Sequence, residues 1–168
     1  MPPKRNSPRH QRSVGALPWL WLSLAVLLLD WATKQAALFW LEPYQPVAVA
    51  PMFNLMLAFN PGAAFSFLAD AGGWQRWFFT GLALVVAVAI TVWLARLPRG
   101  ERWTAAALAL ILGGALGNAW DRIRHGHVVD FIDLYYGQWH WPAFNIADSA
   151  ITVGAAIIVV LALRGEKS

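Results

Sequence analysis

At 168 residues, with 58% hydrophobic and 13% charged side chains, the chain is too apolar for one small aqueous core, and its main solvent is expected to be lipid. The absence of cysteine excludes a disulfide framework, a cysteine nucleophile and thiolate-bound zinc or iron–sulfur centres. The formal charge of +4 is concentrated in tails and turns and does not line one face, which argues against nucleic acid as a partner.

Four stretches are long enough to cross roughly 30 Å of hydrocarbon at about 1.5 Å per residue, near Leu17 to Phe39, Trp77 to Leu97, Trp103 to Trp120 and Phe144 to Leu163. They divide the chain into a basic tail at 1–16, one membrane-embedded domain at 17–164 and a short tail at 165–168. Lys4, Arg5, Arg9 and Arg12 precede the first stretch, Arg96, Arg99 and Arg102 surround the Pro98-Arg99-Gly100 turn, and Arg164 with Lys167 follows the last. The positive-inside rule puts these in the cytoplasm, so both termini face inward and the first and third connections face outward. Tryptophans at the segment ends, among them Trp19, Trp40, Trp77, Trp103, Trp120, Trp139 and Trp141, fit interfacial belts.

The first stretch is too long for a cleavable signal peptide despite its basic flank. Asp30 and Lys34 interrupt it at i, i+4, on one helix face. They serve either as an ion pair docking this helix to its neighbours or directly in substrate binding. In the outward connection from Leu41 to about Gly73, Val47, Val49, Phe53, Leu55, Leu57 and Phe59 share one parity, which predicts short strands. Pro43, Pro46 and Pro51 limit those strands to edges and turns, so a small, partly open sheet on the membrane surface is expected. Phe59-Asn60-Pro61-Gly62-Ala63-Ala64-Phe65-Ser66 follows, a turn whose small residues allow close backbone approach. The outward sheet and the segment around Gly72 to Arg76 are expected to cover the site and shield it from bulk water.

The third stretch ends in the densest polar cluster, Gly113-Gly114-Ala115-Leu116-Gly117-Asn118-Ala119-Trp120-Asp121-Arg122. Gly113 and Gly117 form a small-xxx-small packing face. Asn118, Asp121 and Arg122 stand on one stripe, as part of a site or as an interfacial network in which Arg122 snorkels to headgroups. Gly126-His127-Val128-Val129-Asp130 predicts a turn into a short strand. Pro142 stands before the fourth stretch, whose first turn holds Asn145 and Asp148 at i, i+3.

Asp130 and Asp148 therefore meet near the entry to the last span, where unpaired carboxylates are costly. The economical reason for such a pair is a shared proton and an activated water, as in aspartic proteases, with one carboxyl as base and the other as acid in an order left open. There is no His-Glu-x-x-His, no Gly-x-Ser-x-Gly and no partner helix for His125, His127 and His140, so neither a metal nor a cofactor is expected. Two other readings are a proton-coupled small transporter or channel subunit, which predicts carboxylates spaced through the membrane depth, and a noncatalytic scaffold, which would tolerate Asp130→Asn.

In order along the chain, Asp30 with Lys34, Asn60-Pro61-Gly62-Ala63-Ala64-Phe65-Ser66, Gly117-Asn118-Ala119-Trp120-Asp121-Arg122, Val129-Asp130-Phe131-Ile132-Asp133 and Phe144-Asn145-Ile146-Ala147-Asp148-Ser149 closely resemble the bacterial lipoprotein signal peptidases, or signal peptidase II. The resemblance implies a mainly α polytopic membrane protein, with four transmembrane helices and a small β-sheet and short interfacial helix on the outer face. It implies Asp130 and Asp148 as the catalytic dyad, and Asp30, Lys34, Asn60, Gly62, Asn118, Asp121, Arg122, Asn145 and Ala147 as residues that bind substrate or support the site. The implied reaction is cleavage of a diacylglyceryl-modified prolipoprotein before its lipidated cysteine, in the bacterial inner membrane. A monomer in contact with membrane lipids, open to block by cyclic peptide inhibitors, is expected.

Overall fold

A backbone with no water to bond to crosses lipid most readily as a helix, and the four apolar stretches are helical in the computed structural model, which describes residues 15–62 and 72–165. Residues 1–14 of the basic tail, residues 63–66 of the Asn60 motif and Lys167 lie outside the described residues. A 3-10 turn (Leu17–Trp19) opened by Pro18 leads into α1 (Leu20–Trp40). The other spans are α2 (Trp74–Arg96), α3 (Arg102–His125) and α4 (Ile146–Leu163). Between them lie the strands β1 (Val47–Ala50), β2 (Phe53–Asn60), β3 (Val128–Tyr136) and β4 (Trp139–His140).

α3 is the inner helix, packed against all three others. Its small residues are what admit the neighbours. A Cβ on Gly113 would lie 2.7 Å from the Ser23 carbonyl oxygen and one on Gly117 would lie 2.6 Å from Asp30 Oδ2, so the expected small-residue stripe is the face that receives α1. Ser23 Oγ also donates to the Ala109 carbonyl of α3 at 2.8 Å. An apolar core of Leu94, Leu97, Leu108 and Leu112 fills the end of the bundle away from the sheet.

α3 runs past Trp120, where the apolar stretch ends, because no breaker follows until Gly126. Gly126 caps the helix at φ 85° and donates its N–H to Arg122 O at 3.1 Å. Asp121 and Arg122 are thereby held on a rigid helix. Gly72 and Gly73 turn directly into the first turn of α2, where Arg76 donates to Ile123 O at 2.7 Å. Among the described residues the only helix besides the four spans is the 3-10 turn, at the end away from the sheet, so the expected interfacial helix has no counterpart there.

The strands form one antiparallel sheet in the order β1-β2-β3-β4. Pro46 and Pro51 flank β1, which is an edge strand as prolines require. The single-parity reading of the strand region does not hold. β1 is exposed along its length, and Asn54 and Leu57, an odd number apart, are the buried positions of β2. The cause is a bulge: β2 spends three residue steps from Leu55 to Ala58 while β3 spends two from Ile132 to Asp130. Leu57 then packs with Ala37, Val129 and Phe131, seating the sheet on the end of α1.

Candidate active site

α4 begins with a reciprocal cap. The Asn145 side chain accepts from the Asp148 N–H at 2.8 Å, and Asp148 Oδ2 accepts from the Asn145 N–H at 3.3 Å. The residue before the cap is tied to β3, since Phe144 N–H donates to Ile132 O and Phe144 O accepts from the N–H groups of Phe131 and Ile132. This pairing carries Asn145 to Asp130, and Asn145 Nδ2 donates to Asp130 Oδ1 at 2.8 Å. One amide thus holds Asp130 on a strand and Asp148 on a helix. Asp130 also receives the Asn60 side chain and is 2% exposed. Burial, followed by the charge of Asp148, pushes its carboxyl up to about 8.

A second amide is oriented by a buried cation. Asn118 Oδ1 accepts from Lys34 Nζ at 3.1 Å and from Asn145 Nδ2 at 3.2 Å, so its NH2 group is the end directed at Asp148 Oδ1, 2.7 Å away. Lys34 spends its other donors on Asp30 Oδ2 at 2.7 Å and Asp121 Oδ2 at 2.8 Å. Each of those carboxylates also holds backbone. Asp30 Oδ1 accepts from the Ala147 N–H at 2.8 Å, and Asp121 Oδ2 from the Val129 N–H at 3.1 Å. Ala147 and Val129 immediately precede Asp148 and Asp130, so one lysine gathers two aspartates that each anchor the neighbour of one of these two residues.

Arg122 is buried and does not snorkel. It donates to Gly62 O at 2.8 Å and to Asn118 O at 3.3 Å, with its guanidinium carbon 5.4 Å from the centre of the Phe79 ring. Asn60 Oδ1 accepts from the Gly62 N–H at 3.0 Å, closing the turn that presents Gly62 O to Arg122. These groups stand at the head of a cleft of about 710 Å³. Asn60, Asn118, Arg122 and Asp148 supply its polar end, while Phe79, Leu82, Ala83 and Val86 of α2 and Ile151 and Val153 of α4 supply apolar walls. Leu82 and Val153 are half exposed on the outside of the bundle, so the cleft adjoins the lipid. Asp130 does not line it and is buried among Asn60, Asn145 and Asp148.

All eleven residues expected at the site fall into this one network or its backbone anchors. Asp30 and Lys34 belong to it and form no separate station deeper in the membrane. Their buried contacts favour the docking reading over substrate contact, because Lys34 gives its donors to Asp30, Asp121 and Asn118 and Asp30 holds the Ala147 N–H. Sequence reasoning missed Phe79, Leu134 and Trp141 as cleft residues, since an aromatic or leucine in an apolar chain carries no sign of whether it faces lipid or cavity. It also missed a buried group built on Asp133, considered below.

The family model for signal peptidase (SPase) II matches residues 22–164. Lipoprotein signal peptidases of Pseudomonas paraeruginosa and Vibrio cholerae are 54% and 49% identical over 156 and 159 residues, covering 92% of this chain in both cases and 92% and 91% of their own. Two bacterial membrane enzyme structures solved by the in meso method, at 2.3 and 1.9 Å resolution, superpose with TM-scores of 0.81 and 0.78 at 28% identity. They cover 95% and 94% of this chain and 99% and 100% of theirs.

Proposed function

The chain belongs to the signal peptidase II family of membrane peptidases that remove signal peptides from prolipoproteins, and from that premise we propose how its two buried aspartates divide the work. Asp130 is the proton donor and Asp148 the base. The observation that carries this is the unequal setting of two carboxyls joined through Asn145: Asp148 stands on the first turn of α4 beside the cleft, and Asp130 is enclosed on a strand behind it. Asp148 accepts from the Asn118 amide and the Asn145 N–H at the positive end of α4, which suits a carboxylate. Asp130 is more deeply enclosed and holds its proton to about pH 8.

In the reaction, Asp148 takes a proton from water while the water oxygen adds to the scissile carbonyl carbon. Asp130 gives its proton to the carbonyl oxygen, forming a neutral gem-diol. Asp148 then passes its proton to the amide nitrogen and Asp130 recovers one from a gem-diol hydroxyl as the C–N bond breaks. A carboxylic acid and an amine leave, and both aspartates regain their starting states. Arg122 and the Asn60 turn hold the substrate backbone at the polar head of the cleft.

The substrate is a prolipoprotein whose cysteine already carries a diacylglyceryl thioether, cut on the amino side of that cysteine. An apolar cleft beside lipid with a polar head suits a peptide bond flanked by a membrane helix and acyl chains. The termini are cytoplasmic and the sheet end lies at the outer face, in keeping with Arg96, Arg99, Arg102 and Arg164 at the opposite end. The protein acts as a monomer, and cyclic peptides that fill the cleft are expected to compete with substrate. The transporter reading loses its ground because the buried carboxylates of the helices join one network and are not spaced through the membrane depth.

The test is cleavage of a diacylglyceryl-modified prolipoprotein by purified protein in detergent, with an unlipidated control. Asp130→Asn and Asp148→Asn are each expected to bind substrate and leave it uncut. Cleavage by either variant at near the parent rate would remove that residue from the mechanism.

A further inference from the structure

Asp133 is fully buried and unused by the chemistry above. Its carboxylate is shared between two strands. Oδ2 accepts from Asn54 Nδ2 of β2 at 2.9 Å, and Oδ1 accepts from His140 Nδ1 of β4 at 2.8 Å. Asn54 stands directly opposite Asp133 in the register of β2 and β3. His140 is about half exposed and stacks on Tyr135, with ring centroids 5.4 Å apart and planes at 21°.

Both junctions that Asp133 bridges are ones where the backbone ladder is interrupted. β2 passes through its bulge between Leu55 and Ala58, and only the pairing beyond it, Ala58 with Asp130 and Asn60 with Val128, brings Asn60 to Asp130. A strand without clean alternation of burial has little to stop it slipping, and a one-residue slip turns every side chain to the opposite face. On the other edge β4 pairs through two residues and the ladder continues with Trp141 N–H to Leu134 O at 2.8 Å, but Pro142 has no N–H and breaks it before Phe144 meets Ile132. That edge delivers Asn145 and Asp148.

We propose that Asp133 is a positioning residue: by binding Asn54 on one side and His140 on the other, it fixes the registers that bring Asn60 to Asp130 and Asn145 between Asp130 and Asp148. It lies three strand residues from Asp130, about 10 Å away, and acts through the strands without touching substrate. The inference rests on the aspartic-dyad reading of Asp130 and Asp148.

The experiment measures kcat and KM per folded molecule of full-length protein in detergent, on a diacylglyceryl-modified prolipoprotein, for Asp133→Ala, His140→Ala, the exchange Asn54→Asp with Asp133→Asn, and Asp130→Asn. Misplacement of about 1 Å costs on the order of a hundredfold in rate, so Asp133→Ala is expected to lose about ten- to a hundredfold in kcat with KM changed less than about twofold. His140→Ala releases only the β4 arm, at a half-exposed position where folding is not at stake, and a loss of about three- to tenfold is expected. The exchange variant restores an amide–carboxylate bond between β2 and β3 but moves the charge away from His140. It is expected to match His140→Ala and not Asp133→Ala.

Parent-like kcat per folded molecule in Asp133→Ala, with losses confined to folded yield or KM, overturns the proposal. Should that variant fail to fold, His140→Ala decides alone, and parent-like kcat there has the same meaning. Parent-like cleavage by Asp130→Asn instead overturns the dyad reading, whereas an inactive Asp130→Asn beside a fully active Asp133→Ala condemns the clamp alone.

Discussion

Replacing Asp130 by asparagine should abolish cleavage and at the same time stabilise the protein, increasingly so as the pH rises. The usual carboxyl value of 3.8 and the value of about 8 in the folded chain are separated by about four tenfold steps in proton affinity. At about 1.4 kcal/mol each, these set an upper limit of about 6 kcal/mol on what ionised Asp130 costs the fold. Between those two pH values the folded chain binds a proton that the unfolded chain has released. The stability contributed by protonated Asp130 is therefore complete below the unfolded value, declines by about 1.4 kcal/mol per pH unit across the window, and is lost once the pH passes about 8.

Asparagine keeps an acceptor for Asn145 Nδ2 and cannot ionise, so its stability carries no such slope. The two proteins should be nearly matched at pH 4, and the variant should pull ahead by several kcal/mol at pH 8, as expected where function is held at the expense of stability. Denaturant unfolding in mixed micelles from pH 4 to 9 measures the difference, in which the titrations common to both proteins cancel. The same proton sets the activity: kcat/KM of the parent should fall on the alkaline side with a midpoint near 8. Parallel stability curves, or activity still rising above pH 9, would refute the placement of the proton on Asp130.

Three further outcomes are expected. Lys34→Met leaves Asp30 and Asp121 buried without their cation, at a cost of about 3 to 5 kcal/mol, and frees Asn118 to turn from Asp148, so activity should fall at least about tenfold. In a double-mutant unfolding cycle, adding Asp30→Asn should recover part of that loss, and strictly additive losses would argue against the triad. Gly117→Ala places a methyl 2.6 Å from Asp30 Oδ2 and should cost about 1 to 3 kcal/mol together with activity, whereas Gly81→Ala, with nothing within 4 Å, should change neither when unfolding and cleavage are measured. Because the chain has no cysteine, Gln138→Cys and Gly100→Cys can be labelled singly in spheroplasts with a membrane-impermeant maleimide. Label at 138 and protection at 100 are expected, and the reverse would invert the proposed orientation.

The spans, the i, i+4 pair in α1 and the polar stripe of α3 were legible because they are local: hydropathy, helical spacing and a run without breakers fix them within a few turns. The same holds for Asn145 and Asp148, whose i, i+3 spacing behind Pro142 is the signature of a helix start and proved to be a reciprocal cap. What the sequence could not supply were relations between distant segments. Lys34 meets Asp121 and Asn118 across more than eighty residues, and no local pattern foretells that its two aspartates also hold the backbone beside Asp130 and Asp148.

Asp130 and Asp133 show the limit most sharply. Both are aspartates in one short apolar strand, and both end up almost wholly buried. Their odd separation does place them on opposite faces of β3, so the sequence contains the fact that they have different surroundings. Which surroundings each receives depends on the bulge in β2 and on β4, two features with no strong local signal. Asp133 meets an amide and an imidazole, a pair that satisfies a carboxylate without placing another acid beside it. Asp130 meets two amides and a second carboxylate at the mouth of a helix, and burial beside that second acid is what makes it keep its proton to about pH 8.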